Sequence, residues 1–294
     1  MMYKALDRLN PFMITAYFLA VAGIAMFCAH PVLLSMALAG ALTLCLLRRD
    51  VKRTRTHLLF WGLFALSALL NPLFSRHGAT ALLVIGNKPI SLEAVLWGVT
   101  SASAVLTTLY LFASFSAIMQ SDKLLYLFGS LSPRLSLILS MGLRYVSLLS
   151  GQWRKIKQTQ TALGLYKEDN VIDRVRGALR IFWVLLGWAL ENGIVTAGSM
   201  TARGYGTGKR TYYAVFSFTH RDALYLAFTL ALAAGTIVPL ALGALDFVFY
   251  PTVVQTHTGA LSWLGYLSYG ALIALPILTE TEDAVKWKYL RSKI

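Results

Sequence analysis

The sequence predicts an all-α, polytopic membrane helical bundle of about six spans, with two long amphipathic helices on the cytoplasmic side. Three observations carry this. The 294 residues are 57% hydrophobic and only 14% charged, where a soluble domain carries about 25% charged residues. The apolar residues fall in runs near 12–29, 32–47, 57–74, 93–118, 222–245 and 259–279. Each is close to the roughly 20 residues a helix needs to cross hydrocarbon. When the six runs cross in alternation, 25 of the 27 Lys and Arg residues fall on one side, and only Arg76 and Lys88 on the other. Basic residues are retained in the cytoplasm, so that side, with both termini, is placed inside.

Lys4 and Arg8 precede the first run as in a signal peptide, but no A-x-A site follows, and a second run starts at once after Pro31. The first run is therefore read as an uncleaved span. Ala29-His30-Pro31 joins it to the second as a short helical hairpin. Backbone groups in lipid must be satisfied within the segment, so all six runs are taken as helices. The chain divides into N-terminal transmembrane helices over 1–119, a cytoplasmic segment over 120–221, and a C-terminal transmembrane hairpin with its tail over 222–294.

The middle segment holds two shorter apolar runs, 135–143 and 181–190. Arg144, Arg154, Lys155 and Lys157 follow the first; Arg174, Arg176 and Arg180 precede the second, and Glu191 ends it. Leu179, Phe182, Trp183, Leu186 and Leu190 recur at helical spacing on one face. The pattern predicts amphipathic helices over about 133–163 and 171–203, lying against the inner membrane face. The rival reading is a further transmembrane hairpin, which adds two crossings and leaves the outer topology unchanged.

Each predicted helix ends in nearly the same words. Thr161-Ala162-Leu163-Gly164-Leu165 closes the first, and Thr201-Ala202-Arg203-Gly204-Tyr205 closes the second, forty positions on. Glycine takes the left-handed conformation that ends a helix. One reading is a pair of C-caps, with Arg203 complementing the carbonyl end of the macrodipole. The other is a pair of matched tips that enter similar pockets on partner subunits, Arg203 pairing with a carboxylate there.

Several stretches resemble one family. They are Asn71-Pro72-Leu73-Phe74 with His77-Gly78-Ala79-Thr80, Ile90 to Ala94 with Gly98, and Ser121-Asp122-Lys123-Leu124. Leu143-Arg144-Tyr145 with Ile156 and Gln160 follow, and then Ser199 to Gly206 with Gly208-Lys209-Arg210-Thr211. Together they resemble the transmembrane T component of energy-coupling factor transporters, the EcfT/CbiQ family, over about residues 57–215. The last stretch is the most specific. The resemblance implies a non-enzymatic energy-coupling subunit in a prokaryotic cell membrane. Its partners would be two ABC ATPase subunits, a substrate-binding membrane S component and the bilayer. It implies that Ala162, Leu163, Gly164 and Ala202, Arg203, Gly204 form the ATPase-coupling tips, for uptake of a vitamin or a transition metal. The chain departs from the family at Leu163, where the pattern has Arg.

Other signals lead nowhere comparable. Gly204 to Arg210 lacks the GxxxxGK[ST] spacing and the hydroxyl residue of a phosphate loop. His30, His77 and His257 are scattered on the outer side, and no cofactor or metal set is predicted. Glu191 and Asp246 lie near segment ends, within reach of water. The basic residues flank apolar runs, so topology rather than nucleic acid explains them. A membrane enzyme or a stand-alone secondary transporter stays as the alternative, without HExxH, GxSxG or a midplane repeat to support it.

Overall fold

The computed structural model describes residues 5–48, 54–74, 80–85, 88–166, 170–208, 216, 218–250, 253–255 and 259–291. Arg76, His77, His257 and the Lys209 to Thr211 part of the family stretch lie outside them. The chain forms two compact units, Met1–Leu124 with Phe216–Ile294, and Leu125–Val215.

The first unit opens with the short α1 (Ala5–Arg8) and then α2 (Pro11–Phe27). Asn10 caps α2 by accepting from the Phe12 amide, and Pro11 sits at the first helical position, where no donor is lost. Next come α3 (Pro31–Arg48), α4 (Thr54–Phe74), β1 (Ala81–Ile85), β2 (Lys88–Ser91) and α5 (Leu92–Ile118). After α6 (Ser121–Leu131), α7 (Pro133–Ala162) and α8 (Val171–Ala202), the chain returns to this unit. There it forms α9 (His220–Ala241), β3 (Phe247–Val248), β4 (Val254–Gln255) and α10 (Ala260–Arg291).

The core gathers Tyr17 and Phe18 of α2, Leu33 and Leu34 of α3, Leu106 and Tyr110 of α5, and Tyr269 and Leu272 of α10. The family-like residues meet around α4 and α5. Asn71 Nδ2 donates to Ser101 Oγ at 2.9 Å, and a Cβ on Gly98 would come 2.9 Å from the Ala68 carbonyl oxygen. Thr80 donates through its hydroxyl to buried Glu93 at 2.7 Å, tying β1 to the start of α5. α4 has no buried residue. Its leucines face outward, as lipid-solvated side chains do without a hydrophobic penalty.

The helical prediction holds, with two differences. Two antiparallel hairpins, β1–β2 and β3–β4, occupy connections in a chain predicted to be all-α. And the six described helices long and apolar enough to cross a bilayer are α3, α4, α5, α8, α9 and α10, not the six expected. α2 has 17 residues and reaches about 26 Å at 1.5 Å per residue, just short of a roughly 30 Å hydrocarbon core. α8 qualifies because one continuous helix joins the run at 181–190 to Ile194, Val195 and Ala197.

α3 and α10 approach closely at Gly40, where an added Cβ would overlap Cγ2 of Ile273. Gly40→Ala is therefore expected to destabilise the bundle by about 1–3 kcal/mol through overpacking. Gly40→Ala with Ile273→Ala should recover part of the loss. Thermal unfolding of the three variants in detergent checks this: additive losses would show that the two sites do not touch.

Candidate functional site

In the second unit the two repeated segments take the same geometry. α7 ends at Ala162 and α8 at Ala202, each within one residue of the helix end expected from sequence. The C-cap residues have nearly the same backbone, φ −80 and ψ 1 at Leu163, φ −82 and ψ 8 at Arg203. Gly164 and Gly204 follow in the left-handed region, at φ 68 and φ 76.

Their hydrogen bonds match as well. In the first tip the Leu165 amide donates to the Gln160 carbonyl at 2.9 Å, and the Gly164 amide to the Thr161 carbonyl at 3.0 Å. In the second, the Tyr205 amide donates to the Met200 carbonyl at 3.0 Å, and the Gly204 amide to the Thr201 carbonyl at 3.0 Å. This is the paired 6→1 and 5→2 pattern of the Schellman cap, present twice. A residue with a Cβ resists that conformation, so Gly164→Ala and Gly204→Ala should each cost about 1–2 kcal/mol locally. Faster amide exchange at Leu165 and Tyr205, confined to the mutated tip, is the expected reading.

α7 and α8 run antiparallel. Tyr145 Oη meets Thr196 Oγ1 at 3.1 Å near one end, and the Tyr166 ring lies against Gly177 near the other. The two tips therefore sit at opposite ends of the pair. Leu163 is 67% exposed, and Arg203 is exposed too. Ala162, Gly164, Ala202 and Gly204 are exposed around them. The two triplets thus form two separate points rather than one cluster.

The first tip has neighbours that sequence spacing did not reveal. Arg180 Nη1 donates to the Leu165 carbonyl at 3.2 Å. The Lys157 ammonium lies 4.8 Å from the centroid of the Tyr166 ring, a cation–π contact. A Cβ on Gly177 would come within 2.5 Å of that ring, so the chain after the tip is seated on α8 where α8 has no side chain. Gly177 is one of four glycines within α8, and only the fold shows that it is the one the ring approaches.

Among the described residues, the ionisable side chains singled out from sequence form no second cluster. Glu191 and Asp246 are exposed. His30 is buried; its Nδ1 accepts from the Val32 amide at 3.2 Å, so Nε2 carries the proton toward Tyr266 Oη at 2.9 Å. Burial pushes its pKa below the usual histidine value. Among the described residues, no group of three or more His, Cys, Asp or Glu comes together. A further charged cluster, invisible in the sequence, joins Arg48 to Asp7 and Glu280 in the first unit.

A family model described as "Cobalt transport protein", CbiQ, matches residues 5–213, a stretch that includes both tips. The chain is 33% identical over 112 residues to the "Energy-coupling factor transporter transmembrane protein EcfT" of Streptococcus thermophilus, over 37% of this chain and 42% of that one. It is 27% identical over 106 residues to "Energy-coupling factor transporter transmembrane protein EcfT 1" of Listeria monocytogenes, over 35% of this chain and 40% of that one. The matched region thus spans about two fifths of the length of these curated relatives.

Proposed function

The chain belongs to the CbiQ family of cobalt transport proteins, and from that premise we propose that it is the membrane energy-coupling subunit of an energy-coupling factor importer. The observation that carries this is the duplicated tip. Two long helices end in the same Schellman geometry at opposite ends of one antiparallel pair. Two equivalent tips suit a partner that is itself a pair. That partner is two ABC ATPase subunits, in which ATP is hydrolysed. A separate membrane subunit binds the substrate, a transition metal or a vitamin.

The mechanism is mechanical. Nucleotide binding favours one arrangement of the ATPases over another, and the tips follow the favoured one. Because α7 and α8 are fastened at Tyr145–Thr196 and at Tyr166–Gly177, displacement of one tip is passed along the pair instead of being absorbed at the tip. The basic charge of the segment favours its retention on the cytoplasmic side of the cell membrane, with both termini there as well.

The test is co-expression of the chain with the ABC ATPases and the small hydrophobic protein of its source organism. A complex containing all four chains, with ATP-dependent uptake in proteoliposomes, is expected. A chain that purifies alone and transports or turns over a substrate unaided would overturn the proposal in favour of a secondary carrier or an enzyme.

A further inference from the structure

The two tips share a backbone and differ in chemistry, with arginine at one C-cap and leucine at the other. We propose that Arg180, not a residue of the first tip's own sequence, supplies that tip with the cation it presents to an acidic pocket on an ATPase subunit. The inference rests on the function proposed above and adds a partner-recognition residue to it.

Three observations support it. Arg180 comes from α8, yet its Nη1 donates to the Leu165 carbonyl, two residues beyond the Leu163 cap. A guanidinium has five N–H donors in a rigid fork. That single bond leaves the other donors for a carboxylate, in the bidentate geometry that arginine favours. Arg180 is exposed, so its head is accessible beside the tip.

The neighbouring cation, Lys157, is engaged on the Tyr166 ring. The same ring lies against Gly177, three residues before Arg180 on α8. This seating fixes the register in which Arg180 reaches the tip. The guanidinium is thus held in place before a partner arrives, which lowers the ordering cost of binding. Leu163 and Leu165, both exposed, add an apolar edge to the charged one.

The arrangement has a geometric consequence. Arg180 and Arg203 now belong to one helix and its cap, 23 positions apart. At 1.5 Å per residue the two backbone positions are about 35 Å apart along α8. One rigid element therefore sets the spacing of both cations, and α7 contributes the first tip's frame and its apolar edge.

The test uses the full chain in nanodiscs and the purified ABC ATPase pair of the source organism. Arg180→Gln should weaken capture of the pair at least about thirtyfold, the low end of the cost of a lost charged partner. Leu163→Arg added to Arg180→Gln should restore capture to within about threefold of wild type, because it moves the cation to the cap. Amide exchange at Leu165 should stay as fast in the double variant as in Arg180→Gln, which separates charge supply from helix capping.

Arg180→Gln that binds as wild type does overturns the inference. So does a loss of binding that Leu163→Arg fails to rescue, since Arg180 would then serve only to pin the tip. Arg203→Gln is the control for the second tip's charged contact. If wild type captures no ATPase, the proposed function falls and this inference falls with it; capture that Arg203→Gln leaves unchanged removes the charged contact of the second tip and, with it, this inference. Capture that needs Arg203 and ignores Arg180 overturns this inference alone.

Discussion

Arg203→Glu is expected to abolish capture of the ATPase pair and, with it, ATP-driven uptake. Arg203 is the exposed C-cap of α8, after which Gly204 turns the chain at φ 76. As a cap alone, its charge would contribute about 0.3–1 kcal/mol to the helix end. As half of a charge pair across an interface, its loss costs about 2–5 kcal/mol of binding, and reversal adds repulsion. The two roles therefore differ in where the effect appears. A docking role removes binding and leaves the melting temperature nearly unchanged; a capping role frays Met200 to Tyr205 and leaves binding nearly intact. Leu163→Ala, at the equivalent cap, should weaken capture without changing its salt dependence, because it removes contact area and no charge. An Arg203→Glu chain that still assembles and supports uptake would show that the second tip does not carry a charged contact.

The tips were legible because their chemistry is local. A Thr-Ala-x-Gly word at the end of an amphipathic run specifies a Schellman cap within six residues, and both caps formed where those words stand. The span assignment was less local. α8 is long and apolar enough to cross as well, and α2, with 17 residues, sits at the short end of the spanning range, since α2 stops at Phe27 while α8 runs unbroken through Glu191. Hydropathy windows register average composition, and continuity across one charged residue depends on the helix itself. The β1–β2 hairpin did leave a trace. Leu82 to Ile85 is a β-prone run, and Gly86-Asn87 before Lys88 is a hairpin-turn pair.

What the sequence could not show were contacts between distant positions. Arg48 meets Asp7 and Glu280 across 41 and 232 positions, and no spacing rule connects them. Arg180 and Leu165 are only 15 positions apart. Even so, they become neighbours only once α7 and α8 are known to double back on each other. Arg180 read as one more flanking charge until that pairing was seen.

The second large effect is expected in that distant cluster. Arg48 closes α3 with its side chain 2% exposed; it donates to Asp7 Oδ1 at 2.9 Å and to Glu280, whose side chain is 8% exposed. One guanidinium thus ties α1, α3 and α10 together. Arg48→Met leaves a buried carboxylate without that partner and should destabilise the first unit by about 3–5 kcal/mol. Glu280→Gln should cost less, because a neutral amide still accepts a hydrogen bond and Asp7 still neutralises part of the charge.

Lys123 gives the opposite sign. It is buried in the same unit, and its ammonium has no hydrogen-bond partner among the described residues. Burial lowers its pKa, the Asp7 charge raises it in part, and the Arg48 charge lowers it again. A lysine with a depressed folded pKa destabilises the fold wherever the unfolded chain is protonated and the folded one resists the proton. That penalty is fully present below the folded pKa and disappears as pH rises from there to the unfolded value of about 10.4.

Lys123→Met should therefore stabilise the unit at neutral pH by about 1–3 kcal/mol, the cost of an unsatisfied buried group. The advantage should shrink as pH is raised toward 10. Thermal unfolding in detergent across pH 7–10 measures both signs in one series. A Lys123→Met variant less stable than wild type at pH 7 would mean that the ammonium is held by a favourable partner. A gain that stays constant with pH would mean that the methionine acts by packing and not by removing a buried charge.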